Sequence, residues 1–161
     1  MKHLLPAWLL VTPVALLLAG VVWAELPCRT PDEAIAEAVQ GYFLLQQAAA
    51  SRCDEVLGGT TFMSLHQQLE LRFGEQVGHA RAVRASLFQR AYGETGAQEL
   101  DRVNAMLTDL FTHTVDANAD SCGRLKTELA RRLTIAWSAI QERLERRMAA
   151  IVPTDQGICK D

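Results

Sequence analysis

Four histidines and four cysteines are the residues of this chain best equipped for chemistry. His113 has Asp109 four residues before it and Asp116 three residues after. On a helix these three share one face, because residues three and four apart are neighbours. Imidazole nitrogens and carboxylate oxygens both bind divalent metals, so the trio is a candidate for a weak metal site. A strong site wants three or four converging ligands, and a solvated face with a locally paired histidine accounts for the same spacing. His66 and Glu70 form a second i, i+4 pair at the edge of an apolar stripe, where an ion pair is the simpler expectation. No catalytic residue, cofactor-binding residue, bound metal or cofactor is therefore assigned.

Other chemistries lack their signatures. There is no Cys-x-x-Cys, no Gly-x-Ser-x-Gly, no phosphate-binding glycine loop and no His-Glu-x-x-His. Carboxylates are plentiful, yet their helical positions mostly face water.

The cysteines say more about compartment than about reactivity. Cys28, Cys53, Cys122 and Cys159 all follow an uncharged run from Leu4 to Ala24, which Lys2 and His3 precede. That is the pattern of a basic n-region, an apolar h-region and a cleavage site ending in Val22-Trp23-Ala24. An uncharged run of this length would also span a bilayer if retained, with Trp23 at the interface. Pro6 and Pro13 interrupt it, and cleavage is the favoured reading. The expected organisation is a signal peptide over 1–24, with an uncleaved anchor as the alternative, and one helical domain over 25–161. Either way the remainder faces a periplasmic or secreted space, where an even cysteine count reads as two disulfides.

The elements that must position these residues read as four helices. Thr30 can cap the first, with Pro31 at its first position and Glu33 completing a capping box. Ile35, Val39, Tyr42, Gln46, Ala49 and Cys53 then share a face, and Gly58-Gly59 stops the segment. A second helix begins near Thr60 or Thr61 and buries Phe62, Leu65, Leu69, Phe73, Ala80, Leu87 and Ala91, with Val77 and Phe88 on the flank. Gly93 and Gly96 bracket a turn, and Thr95-Gly96-Ala97-Gln98 is a second capping-box candidate. The third helix carries Leu100, Val103, Leu107, Leu110, Phe111 and Val115. After a connection capped by Asp120 or Ser121, the fourth runs on Leu125, Leu129, Leu133, Ala136, Ile140 and Leu144 to about Ile151, before Pro153. Short links force antiparallel neighbours. The expected fold is all-α, an up-down-up-down four-helix bundle with two disulfides.

That topology selects the cysteine pairing. Cys28 lies at one end of the first helix and Cys53 near the other, about 30 Å away at roughly 1.5 Å per residue. A disulfide tolerates a Cα separation of only about 7 Å. Cys53–Cys122 at one pole and Cys28–Cys159 at the other is the pairing that preserves the bundle.

Removing 1–24 takes Lys2 from the 16 basic residues and leaves all 19 acidic ones, a net charge of −4. This disfavours a nucleic-acid partner, which needs a concentrated basic surface. The fourth helix is locally basic through Arg131, Arg132, Arg143, Arg146 and Arg147. The plain reading is a salt-bridged face; binding of an acidic partner or of an anionic envelope surface is the other. Gly74, Gly78 and Ala82 form a small-residue line that suggests either a kink or the approach of a second helix, such as a homodimer contact. Polar residues on the stripes are few, with Gln46 and Gln76 the obvious ones. The leading expectation is a non-catalytic binding or accessory protein of the cell envelope, partnered by another envelope protein and touching the membrane only through an uncleaved N-terminus. The alternative is a carrier that holds a small ligand or metal in the bundle interior.

Overall fold

A computed structural model describes the backbone of residues 28–151 and the side chains of residues 28–146. The expected signal segment, Cys159 and the side chain of Arg147 lie outside the described residues. Six α-helices and one 3-10 turn make up the described chain: α1 Pro31–Leu57, α2 Thr61–Arg72, α3 Gly74–Tyr92, the turn Gly93–Thr95, α4 Gly96–Thr114, α5 Ala119–Arg132 and α6 Trp137–Ile151.

Helix α1 is the axis, and every other helix packs on it. From Glu33 to Ala50 the one exposed residue is Gln47. A single amphipathic stripe along Ile35, Val39 and Cys53 therefore describes only one side of this helix. Ala36, Ala38, Gly41, Ala48, Ala49 and Ala50 keep its girth small, which lets neighbours approach from several directions. Two core clusters result. One joins Val39, Phe43 and Cys53 to Leu69, Phe73, Val77, Leu125, Leu129 and Ile140. The other joins Leu44 and Ala48 to Leu87, Phe88, Val103, Leu107 and Phe111.

The ends of α1 fix how the chain returns. Thr30 caps it as expected: its hydroxyl accepts from Glu33 N, and the Glu33 carboxylate accepts from Thr30 N. Gly58 ends it at φ 68 and ψ 51, a left-handed conformation natural to glycine. Asp54 then organises the start of α2. Its two carboxylate oxygens accept from Phe62 N at 3.0 Å and Met63 N at 2.8 Å, which satisfies donors that the start of a helix leaves open. At the end of α3, Arg90 reaches Glu33 and the Cys28 carbonyl. The α2–α3 segment thus runs from the end of α1 back to its beginning.

The second and fourth helices of the sequence reading are each broken. The second splits at Phe73, immediately before Gly74. Hydrogen bonds continue through the break, from Phe73 N to Leu69 O and from Val77 N to Phe73 O, so it is a kink. The fourth splits over residues 133–136, where the Thr134 hydroxyl takes the Arg131 carbonyl at 2.7 Å. The two breaks meet. The Phe73 and Trp137 rings lie 5.3 Å apart, and Arg72 donates to the Ile135 carbonyl at 3.3 Å. Four shorter rods therefore replace two long ones, while α1 and α4 remain unbroken. Helix α4 packs on α1, α3 and the turn, and no comparable contact joins it to α5 or α6 among the described residues.

Two caps also differ from expectation. Asn118, not Asp120 or Ser121, caps α5, in a reciprocal box with Ser121. Thr95 makes no side-chain cap and donates instead to Tyr92 O. The 3-10 turn runs straight into α4, so Thr95 already holds near-helical angles.

Cys53 and Cys122 form a disulfide with a Cα separation of 5.6 Å, linking the end of α1 to the first turn of α5. Cys28 stands at the opposite end of α1, and its expected partner Cys159 lies outside the described residues.

Candidate functional site

The histidine pairs of the sequence do not build a metal centre. His113 Nε2 lies 3.3 Å from Asp109 Oδ1, with both side chains about three-quarters exposed. Asp116 turns away and accepts from Asn118 Nδ2 at 3.2 Å. Among the described residues no group of three His, Cys, Asp or Glu side chains could hold a metal ion. His79 pairs with Asp32 at 3.7 Å on the surface. Gly74, Gly78 and Ala82 are exposed, and nothing approaches either glycine within 4 Å.

His66 is more deeply placed than its position at the stripe edge suggested. It is 1% exposed, packed near the Phe43 ring, and its Nδ1 has no hydrogen-bond partner. Burial pushes its pKa down, opposed by the Glu70 carboxylate 3.8 Å from Nε2. Glu70 in turn accepts from Arg81 across the kink at 2.8 Å.

A buried charged layer had no counterpart in the sequence reading. Arg84 of α3 and Glu37 of α1 are both about 2% exposed as side chains and pair at 2.5 Å. A second Arg84 nitrogen donates to Asn104 of α4. The guanidinium also lies 5.4 Å from the Phe88 ring centroid. The signal was present in the register: Phe73, Val77, Ala80, Arg84, Leu87 and Ala91 step by four and three, with the arginine in the middle. Next to this layer, hydrogen bonds from Arg90 hold the Glu33 carboxyl below its ordinary pKa. Each of these carboxylates is thus committed to an arginine, and the layer joins α1, α3 and α4.

The second concentration of charge faces outward, at the elbow between α5 and α6. Arg131 grips Glu128 with two hydrogen bonds at 2.9 and 2.6 Å. Arg132 donates to the same carboxylate at 2.8 Å, and its guanidinium lies 4.8 Å from the centre of the Tyr42 ring. Arg143 approaches Glu128 only to 3.9 Å. Hydrogen bonds from Arg131, with help from the charge of Arg132, hold the Glu128 carboxyl at a pKa of about 2. Three guanidiniums thus share one carboxylate. Arg132 and Arg143 border a concavity of about 60 Å³ whose other walls include Tyr42, Glu128, Ile135, Ile140 and Leu144. The break at residues 133–136 creates this elbow, because it sets Arg143 of one helix beside Glu128 of the other.

Comparison with protein-family models, characterised proteins and solved structures found no match. The functional reading therefore rests on the geometry of the chain itself.

Proposed function

We propose that this chain is an exported cell-envelope protein that binds a partner protein and performs no catalysis. The observation that supports this reading is the α5–α6 elbow, where three arginines surround one glutamate and leave guanidinium donors facing solvent. In the interior, by contrast, Arg84 is paired with the Glu37 carboxylate and the Asn104 amide. Such an interior suits a scaffold. We read the scaffold as an up-down-up-down bundle with kinked second and fourth members, and with Cys28–Cys159 as a second link. The positions of Cys53–Cys122 and Arg90–Glu33 at opposite ends of α1 support that topology.

A carrier role is the second reading. Arg84 Nη2, Gln40 Oε1 and both polar atoms of the Gln46 amide are buried without a hydrogen-bond partner. Such atoms favour a small polar guest, and a buried water is the common one.

The test is crosslinking in the native envelope followed by affinity capture of the full chain and identification of what is attached. One defined envelope protein recovered in stoichiometric amount is the expected result. Recovery of the chain alone, at crosslinker doses that trap known envelope complexes, would reject the binding role.

A further inference from the structure

We infer that the α5–α6 elbow is a carboxylate-recognition site, and that its occupant is an acidic segment of a partner protein. This rests on the binding role proposed above and specifies the partner's chemistry.

Glu128 accepts at most a few strong hydrogen bonds, while Arg131, Arg132 and Arg143 together present fifteen N–H donors at five per guanidinium. Arg131 and one nitrogen of Arg132 occupy the carboxylate. Arg143 makes no hydrogen bond to it at 3.9 Å and is 49% exposed, so its planar fork remains open to a second anion. The local sum is three positive charges against one negative.

Arg132 is 16% exposed as a side chain and lies against Tyr42, which holds the orientation of its guanidinium. A pre-oriented guanidinium loses less freedom on binding and pairs with carboxylates in a bidentate geometry. The concavity beside it, at about 60 Å³, is larger than a single water needs, so a carboxylate group can enter it. Ile135, Ile140 and Leu144 supply the apolar part of the wall, which suits the methylenes of a glutamate side chain.

One observation favours an acidic peptide over an anionic membrane. The arginines converge on a single recessed point, whereas attraction to a bilayer grows with basic residues spread over a surface.

The probe is an acetylated, amidated hexaglutamate peptide, titrated into the purified chain by calorimetry, with hexaglutamine as the neutral control. Saturable binding to hexaglutamate alone is expected. Arg143→Gln should weaken it at least tenfold, while Arg143→Lys, which keeps the charge but loses the fork, should fall between. Arg102→Gln removes the same charge from α4, far along the chain, and should leave affinity unchanged. Circular dichroism confirms that each variant is folded, and exposed Arg143 is chosen because its loss strands no buried group. No saturable binding, or equal weakening by Arg102→Gln and Arg143→Gln, overturns the site. Binding to phosphatidylglycerol vesicles that hexaglutamate does not displace assigns the elbow to a membrane and also overturns it. A captured envelope partner that still binds Arg143→Gln with full affinity would reject this site while leaving the binding role intact.

Discussion

At the residue scale, two buried groups set how the molecule responds to mutation and acid. Arg84 and Glu37 are desolvated together, so each is tolerable only because the other is present. Arg84→Met leaves the Glu37 carboxylate inside without its counter-charge, and such losses cost about 3–5 kcal/mol. The double variant Arg84→Met, Glu37→Leu should recover most of that, because it removes both charges from a low-dielectric site. Urea denaturation of the two single variants and the double variant measures the coupling, and strictly additive losses would refute it. His66 acts through pH. Burial holds its folded pKa below the ordinary 6.5, so the unfolded chain takes up this proton first. Stability is therefore full above 6.5 and falls as pH drops below it. Glu33 and Glu128 are shifted down from 4.5, so their contributions are lost only at lower pH. A loss of stability between pH 6.5 and 4.5 that disappears in His66→Leu is the expected result. An unchanged slope in that variant would place the titrating group elsewhere.

At the element scale, the parts legible in the sequence were those decided locally. Thr30, Pro31 and Glu33 mark the start of α1, and Gly58 marks its end, because caps and left-handed glycines act within a few residues. The apolar register from Phe62 to Ala91 survived the kink at Phe73, since a bend of this kind preserves the spacing of buried positions. What stayed hidden was decided by tertiary contact. Nothing local to Arg84 announces a carboxylate 47 residues away. The enclosure of α1 on several sides depends on five helices that arrive later in the chain. The elbow at residues 133–136 is stabilised by Trp137 against Phe73, far apart in sequence. The glycines divide along the same line. Gly78 is exposed on α3 with open space where a Cβ would sit, so Gly78→Ala should stabilise by about 1 kcal/mol through helix propensity. A Cβ on Gly96 would meet Phe88 O at 2.7 Å and Gln89 Cα at 2.8 Å, both backbone atoms of α3. Gly96→Ala should therefore destabilise by about 1–3 kcal/mol, the range for forced overpacking. Thermal melts moving in opposite directions would bear out both assignments; a shift in the same direction would mean that one is wrong.

At the scale of the whole molecule, the two core clusters divide the work of holding α1. The Cys53–Cys122 link belongs to the cluster that α1 shares with α2, α5 and α6, and with the first half of α3. The α3–α4 hairpin rests on the other cluster, through Leu87, Phe88, Val103, Leu107 and Phe111. The disulfide joins residues 69 positions apart, and the chain-entropy model gives about 4 kcal/mol for closing a loop of that length. Its removal should act unevenly. In a Cys53→Ala, Cys122→Ala variant, α5 loses its covalent tie to the axis, whereas Val103, Leu107 and Phe111 keep all their neighbours. Native-state hydrogen exchange should show amides of α5 and α2 losing protection first, and those of α3 and α4 losing least. A substituted chain is the right instrument, because it removes this one link and leaves Cys28 and Cys159 untouched. Uniform loss of protection across all helices would mean that α1 transmits the change along its full length and that the clusters unfold as one unit. Selective loss would leave the elbow between α5 and α6 as the part of the surface most dependent on the link. Hexaglutamate affinity should then fall in the same variant while the α3–α4 hairpin remains protected.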